Sequence, residues 1–208
     1  MCNPKAIIIP ASTSNRNLTF SFQCRTIQVE DVFPYIDCCK YNELCKIGCI
    51  NYEKKWSCPP FTPSYNQYIK NYINLSLCVL SINLSQFSYI KNDYLKVKAA
   101  NVILKSRIDK TLRSLSQDGV GYISTGSCRL CKPCKCKTNE NCAKPDSMSY
   151  SFEALGVDVG SMVMGIFHHQ LLWYKKSALP EYTTVVAGLL SNEIDCENIL
   201  TCTLRGLS

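Results

Sequence analysis

The stretch from Cys128 to Pro145 constrains this chain more than any other: Cys128-Arg-Leu-Cys131-Lys-Pro-Cys134-Lys-Cys136, then Cys142-Ala-Lys-Pro145. Three cysteines at x2 spacing, followed by a further cysteine and a nearby proline, form the pattern of an iron–sulfur ligand loop. A C-x-x-C turn points two thiolates to the same side of a tight loop. A second such turn adds a third, and a cysteine from further along closes the shell. Zinc uses the same spacing, so the pattern states metal more firmly than it states iron.

A second group lies upstream: Cys45-Lys-Ile-Gly-Cys49, then Tyr52, then Trp56-Ser-Cys58-Pro-Pro-Phe61. Three cysteines with aromatic cover and a Cys-Pro-Pro turn make a three-ligand site plausible. Proline after a ligand fixes φ and removes an N–H that would need a partner. Trp56 and Phe61 can exclude water and so tune a metal group. Cys38 and Cys39 stand near enough in sequence to offer a fourth ligand.

The remaining cysteines support the same reading. The chain has 15 in 208 residues. An odd count argues against complete disulfide pairing, and the N-terminus shows no secretory cleavage signal. No apolar run approaches the length of a membrane span. These features read as a cytoplasmic chain, where clustered cysteines are metal ligands or redox catalysts first. The Asn-x-Ser/Thr triplets at Asn17, Asn74 and Asn83 then carry no meaning. Cys2, Cys24, Cys196 and Cys202 lack ligand spacing and read as structural, and Cys78, inside an apolar run, as a small core residue.

A net charge of +7 would suit nucleic acid. Its distribution argues otherwise. Arg129, Lys132, Lys135, Lys137 and Lys144 sit among the cysteines, where they offset the negative charge of a thiolate-bound metal. The other basic residues are scattered. Nucleic acid is therefore not the expected partner; a redox protein or a small-molecule substrate is.

Thr19-Phe-Ser-Phe-Gln-Cys24 alternates like a half-buried strand continuing toward Val29, and Leu75-Ser-Leu-Cys-Val-Leu-Ser-Ile82 reads as a buried strand. Short strands follow at 120–124 and 183–190. Helical stretches are expected at 65–72, 89–117, 150–155 and 159–174, with Gly119 stopping the second and Asp158 capping the last. Residues 1–18 read as irregular and polar, and 30–62 as carrying no clear strand. The expected fold is α/β or α+β. It is a single domain over 1–208, with a sheet of about four strands, helices packed on it, and metal-binding loops at about 38–61 and 126–146. Repeats and low-complexity tracts are not found.

Taken in order, Cys45…Cys49…Trp56-Ser-Cys58-Pro-Pro-Phe, the Cys128–Cys142 loop with its Ala-Lys-Pro, and Tyr150-Ser-Phe-Glu-Ala-Leu-Gly-Val-Asp-Val159 resemble the DUF2284 family of predicted metal-binding proteins. The resemblance runs roughly from the first strand to the last. It implies metal binding through Cys45, Cys49 and Cys58 and through Cys128, Cys131, Cys134 and Cys142, with no settled reaction. Cys136, Cys38 and Cys39 stand as extras.

Three closely linked ligands plus one look less like paired zinc knuckles than like a cubane loop, which favours a [4Fe–4S] cluster. A second cluster at the upstream group, with three protein ligands, would leave one iron open. The reading is an iron–sulfur protein of an oxygen-poor setting. It would act in electron transfer or in reductive or sulfur chemistry at an open iron. The competing reading is a zinc-stabilised binding or adaptor protein without catalysis.

His168 and His169 read as ordinary helix residues rather than ligands. Glu153 and Asp158 are candidate proton donors, with capping the competing role for Asp158. Tyr150 can bond a cluster sulfur or simply pack. There is no Gly-x-Gly-x-x-Gly and no phosphate-binding P-loop. Cys58 lies too far from Cys49 for a C-x-x-x-C-x-x-C radical motif. Tandem, lysine-rich C-x-x-C units do not fit a thioredoxin-like role.

Overall fold

The computed structural model describes residues 5–13, 16–117, 119–176, 178–192 and 197–206. Strands β1 (Ile7–Thr13), β2 (Arg16–Gln28), β3 (Asn74–Asn83), β4 (Gly121–Ile123) and β5 (Tyr182–Ser191) form one sheet in the order β1-β2-β3-β5-β4. Every neighbouring pair is antiparallel, so the fold is α+β rather than α/β.

The middle strand shows why. β3 is nearly continuous in apolar residues because both its faces are covered. Leu75, Leu77 and Val79 enter one core and Cys78, Leu80 and Ile82 the other. β2 feeds the second core with Leu18, Phe20, Phe22 and Cys24, as its alternation requires. The fifth strand, β1, falls in the segment expected to be irregular. Its apolar run is short and Pro10 interrupts it. An edge strand tolerates that proline, and Ile9 opposite Phe20 is fully buried.

Helix α3 (Asp93–Leu115) covers one face of the sheet. Asn92 caps it by accepting from Leu95 N at 3.0 Å, and it buries Ala100, Leu104, Ile108 and Leu112. Full burial of one such leucine contributes about 2 kcal/mol. Helix α5 (Glu197–Gly206), not foreseen from the sequence, adds Leu200 and Leu204 to the same core.

The opposite face carries helix α2 (Tyr65–Ile69), helix α4 (Val159–Phe167) and a 3-10 turn at Val29–Tyr35. α4 ends well before residue 174, because His168 turns left-handed at φ 52° and closes the helix. Residues 150–155 form only a short 3-10 turn, Glu153–Leu155. No helix among the described residues is long and apolar enough to cross a membrane.

Helix α1 (Cys38–Gly48) was also hidden from pattern reading. It has no buried residue, so it lacks the apolar stripe that marks a helix. Contacts at its start hold it. Asp37 caps it by accepting from Lys40 N at 3.0 Å, and Asp37 N donates to Gly156 O at 2.8 Å. Gly156 has φ 88°, and a Cβ there would sit 2.6 Å from Cys38 Sγ. The Glu-Ala-Leu-Gly-Val-Asp motif thus receives α1 on one side and caps α4 on the other, where Asp158 Oδ1 accepts from Ser161 N at 3.0 Å.

Candidate metal centre

α1 carries Cys45, and Cys49 caps its C-terminus by donating its N–H to Cys45 O at 3.0 Å. A four-residue step puts both thiols on one helix face, about 6 Å apart along the axis. The chain then folds back through successive turns. Tyr52 N donates to Cys49 O at 3.1 Å, Cys58 N to Lys55 O at 3.0 Å and Phe61 N to Cys58 O at 3.1 Å. These turns return buried Cys58 toward the helix. Cys45, Cys49 and Cys58 line one cavity of about 320 Å³ together with Lys105, Arg129 and Glu153. The cavity lies past the end of edge strand β4, where elements from both sheet faces meet.

The downstream loop begins at that strand end. Ser124 N donates to Tyr150 O at 2.8 Å, and Thr125 donates through N and Oγ1 to the Asp109 carboxylate at 3.2–3.3 Å. Cys128, Cys131, Cys134 and Cys142 are half-buried along the loop. Within the cysteine run its regular structure is a 3-10 turn, Lys135–Thr138, ended by left-handed Asn139 and followed by a Lys135–Glu140 ion pair of 2.8 Å; a second such turn, Pro145–Ser147, closes the loop.

The two cysteine groups meet. Lys55 Nζ donates to Ser127 Oγ at 3.0 Å and to Cys128 O at 2.8 Å. Cys128 N donates to Ser57 Oγ at 2.9 Å. Trp56 Nε1 donates to Glu140 O at 3.0 Å, and the Cys136 thiol to Glu53 O at 3.7 Å. Trp56 stacks edge-on with Phe61 at 4.8 Å, so these aromatics cover the junction. Cys136, buried against the upstream turn, is a contact between the loops rather than a member of the half-buried set.

The electrostatics agree with this grouping. Burial pushes the Cys58 thiol up to about 11; the Ser57 hydroxyl and Lys55 oppose that, while Cys49 and Cys45 add to it. Burial also raises Cys45, helped by Cys49 and Glu153. The three sulfurs thus share one environment. Burial lowers the Lys105 ammonium, and Arg129 lowers it further against the pull of Glu153 and Asp109. Tyr150 is raised by burial and then by the nearby charge of Cys142 and Cys128.

Among the described residues, no group of three or more His, Cys, Asp or Glu side chains is drawn close enough to hold a metal ion. The donor chemistry nevertheless fits a soft metal. Cys45, Cys49 and Cys58 share a cavity whose carboxylate is Glu153 alone, and the other four thiols lie on one short loop. Cys38 does not join the upstream set. It is packed on Gly156, seven residues and so about 10 Å along the helix from Cys45. Cys39 is exposed.

The other candidates lie apart. Cys24 and Cys78 are paired across β2 and β3 in the core, with sulfurs 3.6 Å apart. Cys202 is exposed on α5, so a core role does not apply to it, and Cys2 and Cys196 lie outside the described residues. His169 pairs with Thr184 Oγ1 at 3.0 Å and packs on Tyr182. Asp158 caps α4 and pairs with Lys40 at 3.4 Å. Lys105 was missed. In the sequence it is one polar residue of a long helix, with only the i, i+4 relation to Asp109 to mark it.

The family model described as predicted metal-binding protein (DUF2284) matches residues 27–190. That span runs from the end of β2 through nearly all of β5 and includes both cysteine groups. No curated protein and no solved structure matches the chain. With most of its length matched, and both cysteine groups inside the match, the chain belongs to the DUF2284 family of predicted metal-binding proteins.

Proposed function

We propose that this protein is a cytoplasmic iron–sulfur protein working where oxygen is scarce. Cys128, Cys131, Cys134 and Cys142 would hold a [4Fe–4S] cluster, and Cys45, Cys49 and Cys58 a second metal group. The observation that carries this reading is the junction of two cysteine groups through Lys55 and Ser57, one of them opening on a cavity. When bound, such clusters supply one-electron transfer, and an iron without a protein ligand supplies a site for reductive or sulfur chemistry.

The chain's own residues do the remaining work. Lys55 and Ser57 fix the separation of the two groups. Trp56 and Phe61 shield the turn between them from water, which tunes a buried metal group. The basic residues of the loop offset thiolate charge. The division of roles follows from access. The upstream group faces the cavity and would meet substrate, whereas the downstream group sits on a half-buried surface loop and would meet an electron partner.

The test is iron, zinc and acid-labile sulfide per chain after purification without oxygen. About four irons with matching sulfide support one cubane, and about eight support two. Cys131→Ala and Cys49→Ala should each remove one group's share. Full cluster content in both variants would falsify the ligand assignment. Stoichiometric zinc without sulfide would instead establish a zinc-stabilised adaptor with no reaction of its own.

A further inference from the structure

We propose that the cavity beside Cys45, Cys49 and Cys58 binds a small monoanionic carboxylate between half-buried Lys105 and exposed Arg129. This deepens the proposed function by naming the substrate class of the upstream group.

Packing fixes the inner anchor. Leu104 and Ile108 hold α3 on the sheet, so Lys105 and Asp109 fall on the helix edge that faces the loop after β4. Asp109 is occupied there by Thr125. The Lys105 ammonium lies 3.6 Å from where a Cβ of Gly126 would stand, so it sits beside the Gly126 backbone, and both line the cavity.

Arg129 reaches the same cavity from the downstream loop. The close ion pairs among the described residues are Lys40 with Asp158, Lys96 with Asp93 and Lys135 with Glu140, so neither cation is engaged in one. Two cations lining one cavity repel each other, and an anion between them relieves that repulsion.

Charge and shape narrow the anion. Among the groups that line the cavity, Lys105 and Arg129 give two positive charges and Glu153 removes one; Asp109 lies outside the lining, with its carboxylate bonded to Thr125. The remaining single charge suits a carboxylate better than dianionic phosphate. Tyr52, Pro59 and Ala154 give the same cavity a less polar side, which suits a short carbon chain. A carboxylate held by the cations would point the rest of its ligand toward the three thiols.

The experiment titrates the full chain, metal-loaded and metal-free, with propionate and separately with inorganic phosphate. Calorimetry gives affinity, the amide resonances of Gly126 and Ser127 give location, and metal per chain is measured in parallel. Propionate is expected to shift both amides and to bind more tightly than phosphate. Lys105→Met should weaken it about tenfold or more. Arg129→Gln, at an exposed position, should weaken it by a smaller factor. Metal content should be unchanged in Lys105→Met.

Unaltered propionate affinity in both variants, or phosphate binding as tightly as propionate, overturns the assignment. Propionate binding at Lys105 in a protein that takes up no metal would support this site and defeat the metal reading alone.

Discussion

The two cysteine groups reach the same junction by different routes. The upstream group is built by regular structure. Cys45 and Cys49 are spaced by a helical turn, α1 is capped at Asp37, and Cys58 is returned by a chain of backbone turns. The downstream group has one 3-10 turn and a run of half-buried cysteines on a surface loop. Burial of apolar side chains does little for that loop, so its order depends on its contacts with residues 53–57 and on whatever its thiols bind. The difference teaches that one group is framed by the protein and the other helps to frame itself.

Removing metal is the strongest way to break this comparison. A chelator, or Cys131→Ala, is expected to abolish amide-exchange protection over residues 126–146 while leaving α3 and the sheet protected. Equal loss across both regions would show that the whole domain folds around metal.

Gly156→Val should have the next largest effect. It forces a β-branched residue to φ 88° and drives a Cβ into Cys38. A loss of about 3 kcal/mol is expected, read from chemical denaturation. A loss below about 1 kcal/mol would mean that α1 is not held through this turn.

The junction comes third. Ser57→Ala leaves the half-buried Cys128 N without its acceptor, for about 1 kcal/mol. Lys55→Met removes two further bonds. Each should loosen the downstream loop in amide exchange and leave α1 unchanged.

The smallest effect lies in the scaffold. Burial holds His169 below the ordinary histidine range, so near pH 6 the unfolded chain binds more protons than the folded one. Stability should therefore rise with pH through that window, level off above the unfolded pKa of about 6.5, and fall on acidification. His169→Gln should flatten this slope in thermal melts without changing metal content. A slope that persists must come from another group.

Much of the scaffold could be read from residues alone, because its signals are local. The apolar run of β3, the alternation of β2, the long periodic helix and the Asp158 cap each show within a few neighbours. Both cysteine groups announced themselves by spacing, which pointed to metal binding without reference to geometry.

What escaped was whatever depends on distant partners. α1 buries nothing and exists because Gly156 and Asp37 receive its first turn. β1 is a strand because β2 lies beside it, and Leu200 and Leu204 are core residues because α3 leaves them a surface.

The sequence by itself determined that this chain carries two sets of clustered thiols on a scaffold of strands and helices, since cysteine spacing and side-chain periodicity are properties of neighbouring residues; the antiparallel pairing that makes it α+β came from the structure. Only the tertiary structure decided that the sets adjoin, that Cys38 stands apart, and that Lys105 and Arg129 face Cys45, Cys49 and Cys58 across one cavity. Those relations join residues dozens of positions apart, and no local pattern encodes a distance in space.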